Sequence, residues 1–242
     1  MRKGRMDTVA DGLLDLVLDG TYGPGSSLPS EAELADRFGV SRLTVREAIR
    51  SLASTQVIDV RQGKSSVINP VERWSPLDPR LLRARGEVSG QPLVLPKRLL
   101  EARRTVEAAI AELAAERRSD EQVAQMSTFL ERMRAAHRQT DLAGFVEADL
   151  AFHHVLFEAV DNPFLDAVFE PLALVLRTLR RETSSVPQIR AHAITWHGKI
   201  LEKIADGDPD GAREAMRGHL VQTEQDTERY LGHQQTSRAA RA

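Results

Sequence analysis

Two groups of side chains in this sequence have the types and spacing to do chemistry. In the first, Asp149 and His153 stand four apart in an apolar stretch that reads as a helix, so they project from one face. His197 and His219 fall in two later helical stretches. One carboxylate with three neutral imidazoles is a reasonable ligand set for one divalent transition metal ion per subunit, zinc first, with nickel or manganese as alternatives. Inward-facing ligands from several helices are a normal way to build such a site in a bundle. Spacing alone is a weak signal, because Asp-x-x-x-His recurs by chance. His154 is turned about 100° from His153 by helix geometry, and His137, His192 and His233 carry no motif and read as surface residues.

The second group is basic. Arg42, Arg46 and Arg50 lie off the apolar stripe of a helix that starts after Ser41, and Arg42 and Arg46 share a face. Arg suits bidentate contact with guanine O6 and N7. Ser41 and Thr44 sit in the first turn, where hydroxyls and free backbone N–H groups can hold a phosphate. The first 70 residues hold nine basic and nine acidic residues, and the whole chain has a formal net charge of −2. Positive charge is therefore concentrated on one element, as a nucleic-acid reader in a neutral protein requires.

The elements that must position these groups follow from patterning. Val9, Leu13, Leu14, Leu16, Val17 and Leu18 suit an amphipathic helix over Met6 to Asp19. After the breaks at Gly20, Gly23, Pro24 and Gly25, Ser30 with Glu33 has capping-box spacing, and Gly39 ends that second helix. Ser41 caps a third, with Val45, Ala48, Ile49 and Leu52 inward. Val57 to Val60 and Ser66 to Ile68 predict two short strands around Gln62-Gly63-Lys64, a wing after a tri-helical unit. Residues 70–96 hold five prolines and one short helical piece near Pro79 to Arg85. Beyond Lys97, helices are predicted at about 97–117, 119–138, 141–160, 163–182, 187–206 and 209–231, with Asp208-Pro209 as cap and first helical position of the last.

The 242 residues suffice for one large domain or two smaller ones, each with its own core. With only 5% aromatics and abundant Ala, Leu, Arg and Glu, the composition favours helices over a β-sandwich. Absence of cysteine excludes disulfides and thiolate metal sites. The first eleven residues lack the apolar core of a signal peptide and no apolar run reaches the ~20 residues that span a bilayer, so a cytoplasmic protein without membrane contact is expected.

The stretch Gly25 to Glu31, with Leu34-Ala35, Phe38 to Arg42, Thr44 to Ile49 and Leu52, resembles the GntR family of bacterial regulators, as does the wing Arg61-Gln62-Gly63-Lys64. The resemblance implies DNA contacts from Ser41, Arg42, Thr44 and Arg46 on the recognition helix, and from Gln62, Gly63 and Lys64 on the wing. Arg50 is added for its place on the basic face. Three positions depart from the family pattern: Ala32 stands where many members have a DNA-contacting Arg, Gln56 where Gly is usual, and Ser65 where Gly is common. Asp149-Leu-Ala-Phe-His153, Asn162 to Leu165, His197 with the residues to Leu220, and Leu100 to Arg103 with Glu107 resemble the FCD domain of the FadR subfamily. In metal-containing members the positions of Asp149, His153, His197 and His219 hold one divalent ion. The resemblance further implies a small effector beside that ion, and Arg103 is the arginine matching the family's pocket. The alternative for Arg103 is a surface salt bridge to Glu107, four residues on. A cation beside an arginine favours a carboxylate, and Trp74 to Pro79 resembles members that sense sugar acids.

The expected fold is mainly α. It comprises an N-terminal winged helix-turn-helix with a β-hairpin wing (1–70), a linker with a short helix (71–96), an antiparallel all-α helical bundle of FCD type for effector binding and dimerisation (97–232), and a disordered tail (233–242). The expected function is a homodimeric transcription regulator, a repressor, that binds a pseudo-palindromic double-stranded DNA operator and is controlled by a small carboxylate. The alternatives are a regulator for which the metal itself is the signal, and a helical metallohydrolase built on the Asp/His centre.

Overall fold

The computed structural model describes residues 4–61, 65–88 and 94–231. The chain divides into two units, Met1–Pro92 and Leu93–Ala242, each with its own core.

In the first unit, α1 (Arg5–Leu18), α2 (Glu31–Phe38) and α3 (Arg42–Ser54) pack around Leu13, Leu34, Val45, Ala48 and Leu52. The caps act as the sequence predicts. Ser30 and Glu33 form the reciprocal capping box, and Gly39 ends α2 at φ 63°, a left-handed conformation open to glycine without steric cost. Ser41 accepts from the Thr44 N–H at 3.2 Å to start α3. The wing strands are shorter than expected: β1 is Ile58–Asp59 and β2 Val67–Ile68, antiparallel with Ile58 opposite Ile68, and Ser27 adds a bridge to Val67.

Gln56, just before β1, has φ 61°. Glycine is usual there because the backbone turns left-handed, which costs a residue with a Cβ about 1–2 kcal/mol. Asn69 holds the turn by donating from Nδ2 to the Gln56 carbonyl at 2.9 Å.

The segment after the wing belongs to this first core. Trp74 is 1% exposed and donates from Nε1 to the Asn69 carbonyl at 3.0 Å, and Leu81 and Ala84 of α4 (Pro79–Val88) are buried in the same cluster. Arg80 pairs with Asp78 and with Asp11 of α1. Residues 71–88 are thus not merely a tether, and Trp74 is a core residue of the head.

In the second unit, α5 (Val94–Arg117) packs on α11 (Pro209–Asp226), α11 on α10 (Pro187–Ala205), and α10 on α6 (Asp120–Arg138). The ring closes through α7 (Leu142–Val160), which packs on both α6 and α5. Phe152, Leu156, Met126, Leu130, Ile200 and Met216 fill its centre. Asp208 caps α11 with Pro209 in the first turn, as expected.

The single helix predicted at 163–182 is two helices. Pro163–Phe169 (α8) and Ala173–Thr183 (α9) are separated by a 3-10 turn at Glu170–Leu172. Pro171 lies in that turn; it has no N–H to give and its ring clashes with the carbonyl four residues back, so one continuous α-helix is excluded.

Candidate DNA-reading helix and metal centre

On α3 the inward stripe leaves Arg42, Arg46 and Arg50 exposed, as predicted. Ser41 Oγ and Thr44 Oγ1 lie 2.9 Å apart in the first turn, so one hydroxyl donates to the other. The arginines differ in their partners. Arg46 donates from Nε and Nη2 to the Glu31 carboxylate of α2, at 2.9 and 2.6 Å. Arg50 pairs with Glu47 at 2.8 Å, and Arg61 with Asp59 at 3.0 Å. Arg42 has no hydrogen bond or ion pair with any described residue. The Glu31–Arg46 bond holds the Glu31 carboxyl below its usual range and raises Arg46. Fifteen residues separate the pair, and nothing in the helical periodicity announced it. Gln62, Gly63 and Lys64, the wing's expected contacts, lie outside the described residues.

The second site sits inside the bundle. α7 supplies Asp149 and His153 from one face, α10 supplies His197 and α11 supplies His219, all buried. Ligand nitrogens of the three histidines lie within 4.8 Å of one another. That spacing suits one ion with Zn–N bonds of about 2.0–2.1 Å after small side-chain adjustments. Asp149 divides its carboxylate: Oδ1 is 3.1 Å from His197 Nε2 and Oδ2 is 2.9 Å from Arg180 Nε.

His197 donates from Nδ1 to the Ala193 carbonyl at 2.7 Å. A carbonyl can only accept, so in the neutral ring Nε2 carries a lone pair facing the Asp149 carboxylate. Two acceptors so placed repel unless a cation or proton lies between them. His153 Nδ1 approaches Glu107 Oε2 at 3.0 Å. Both approaches are short but out of line for a hydrogen bond. His153 Nδ1 and Nε2, His197 Nε2 and His219 Nδ1 are all buried without a hydrogen-bond partner. Buried nitrogens are rarely left so, and four on three adjacent rings are what a metal site needs. The residues present fit an ion.

The electrostatics agree. Burial, reinforced by Arg180, pushes His153 down to about 4. Burial and the facing imidazoles hold His219 well below its ordinary value. Both rings are neutral at pH 7, the form that ligates. Burial alone would raise Asp149, but the Arg180 guanidinium outweighs it and holds the carboxyl well below the usual range. Arg103 does the same for Glu107 against its burial.

Arg103 does pair with Glu107, at 2.6 Å, but the pair is inside the protein, with both side chains 3% exposed. The surface salt bridge is corrected to a buried one whose carboxylate faces a metal-ligand candidate. Arg180 went unrecognised in the sequence, although it falls on the buried stripe of α9 with Val175, Leu176, Leu179 and Thr183. His137 and His192 are half-buried rather than surface groups; His192 Nδ1 lies 2.9 Å from the buried Asp226 carboxylate. His154 is exposed, and His233 lies outside the described residues. Trp196 and Gly218 precede His197 and His219 directly, and the indole lies against the Gly218 backbone so closely that a Cβ there would come within 2.3 Å of it.

A helix-turn-helix with a wing is the architecture of a DNA-binding head, and here a helical bundle with a buried polar centre follows it. The chain belongs to the gntR family of bacterial regulatory proteins: that family's model matches residues 5–68 and the FCD domain model matches residues 98–222. It is similar to the galactonate operon transcriptional repressor of Escherichia coli (strain K12), with 30% identity over 224 residues covering 89% of this chain and 93% of the relative. It is 33% identical over 213 residues to the regulator Mce2R of Mycobacterium tuberculosis, covering 84% and 83%. A solved structure of Lar, from Listeria monocytogenes, shares the fold with a TM-score of 0.65 and 19% identity, covering 95% of this chain and 99% of that one. Family and relatives are regulators, which removes the metallohydrolase alternative. Among the described residues no helix is long and apolar enough to cross a membrane.

Proposed function

We propose that this protein is a homodimeric repressor whose hold on a pseudo-palindromic operator is controlled by a small carboxylate bound beside a divalent metal ion. Asp149, His153, His197 and His219 would hold the ion. The buried, unpartnered imidazole nitrogens support this most directly. Charge balance supports the anionic effector. Arg103 and Arg180 against Glu107 and Asp149 cancel to zero, so a divalent ion adds two positive charges in a buried place. A carboxylate offsets them, and Arg103 or Arg180 can turn a guanidinium fork to it. When bound, the ion polarises and orients that carboxylate. Sugar acids lead the candidates, because a similar protein carries galactonate in its name.

In the head, Ser41, Arg42, Thr44, Arg46 and Arg50 would face the major groove, with Gln62, Gly63 and Lys64 following from the wing. A ligand shifts operator affinity only by binding the two states unequally.

Elemental analysis of the purified chain should give one zinc, nickel or manganese ion per subunit, and His197→Ala with His219→Ala should abolish it. Galactonate and other sugar acids should raise the melting temperature of the loaded protein and release a bound operator duplex. Parent protein purified without metal sinks the site. If metal titration alone switches DNA binding while organic acids do nothing, the ion is the signal.

A further inference from the structure

Leu43 is the second residue of α3 and 64% exposed, the most exposed large apolar side chain described in the first unit. It takes no part in the core: Val45, Ala48, Ile49 and Leu52 form the inward stripe. Its neighbours three and four residues on are Arg46 and Glu47, both exposed. A lone exposed leucine needs no explanation on an ordinary surface. Here it stands on the face that carries Arg42, Arg46 and Arg50, where polar side chains would cost nothing in packing.

The partner whose charge complements those arginines is duplex DNA, and the apolar feature of the major groove is the C5-methyl of thymine. We infer that Leu43 reads a thymine methyl, making it a specificity-determining residue at the start of the recognition helix. The inference rests on the reading that α3 enters the major groove. It assigns the base pair beside the arginine contacts to A·T, with apolar contact in place of a hydrogen bond. Leu43 has no polar atom with which to choose among the other bases, so methyl contact is the discrimination open to it.

The test uses the full chain and a duplex it selects from a random pool. Each thymine of the half-site is replaced in turn by deoxyuridine, which removes only the methyl, and affinity is measured by fluorescence anisotropy at fixed salt. At one position the parent should bind the deoxyuridine duplex about threefold to fivefold more weakly, as burial of one methyl implies. Leu43→Ala should bind both duplexes equally there, and Leu43→Met should keep part of the preference. Melting curves should be unchanged, because the side chain is outside the core. A half-site without thymine, a parent indifferent to every replacement, or a Leu43→Ala variant that keeps the full discrimination overturns the inference. If no duplex is selected, or Arg42→Ala with Arg46→Ala binds the selected duplex as tightly as the parent, the groove reading itself fails and the inference goes with it.

Discussion

Arg46 and Arg50 of α3, like the arginines around the three histidines, are paired with acids, yet the pairs differ in kind. Arg46 and Glu31 meet at the surface, with side chains 50% and 35% exposed, where water and salt screen them. Such a pair contributes about 0–1 kcal/mol and can be exchanged for a phosphate or a base at little cost. Arg180 with Asp149, and Arg103 with Glu107, are almost fully enclosed. There each charge depends on its partner, because a buried charge without compensation is very unfavourable. The first arrangement suits a surface that must release its own acids to take up DNA. The second suits a site that admits a new charge only when another moves or arrives. One chain thus keeps exchangeable ion pairs on its recognition-helix face and fixed ones inside its bundle.

Breaking one pair of each kind is the sharpest test of that contrast. Asp149→Leu in the metal-free protein leaves Arg180 buried and unpaired and should cost about 3–5 kcal/mol in denaturant unfolding. Glu31→Ala should change stability by less than about 1 kcal/mol; similar losses for both would erase the distinction. Acid probes the buried cluster from another side. A histidine held down to about 4 in the fold, against 6.5 unfolded, favours the folded state fully above 6.5. Metal-free protein should therefore lose stability as pH falls from about 6.5 to about 4, and His153→Gln should flatten that slope in melting curves. At the head, Arg42→Ala and Arg46→Ala should each weaken specific DNA binding by about 1–3 kcal/mol with little change in melting temperature. A melting loss as large as the binding loss would show that these side chains support the fold. The smallest effect concerns the wing turn: Gln56→Gly relieves the left-handed backbone and, less the entropy glycine loses on folding, should stabilise the head by about 0.5–1 kcal/mol.

Local signals were legible because they act within a few residues. The Ser30 box, the Gly39 terminus, the Asp208-Pro209 start and the inward stripe of α3 each depend on neighbours along the chain, and each stands where patterning put it. The Asp149–His153 pair was legible for the same reason, one helical turn bringing the two together. What the sequence hid was mostly contact at long separation. Arg180 is 31 positions from Asp149, and Arg46 is 15 from Glu31; such partners leave no period in the chain. Arg103 was read with its correct partner but wrong surroundings, since a salt bridge at helical spacing looks the same buried or exposed. Pro171 is a different case. Its residue type alone breaks the helix, and the break was missed where an apolar period ran across it.

Trp196 and Gly218 carry the last consequence. Where the two helices that bear His197 and His219 meet, an indole rests on bare backbone one residue before each histidine. Position 218 therefore bears on the spacing of two of the histidines without being one of them. Even a methyl there would meet the Trp196 ring, so the indole or the two helices must shift beside the imidazoles. If the three imidazoles hold an ion as proposed, its fit can be altered in descendants of this chain through a residue that does not touch it.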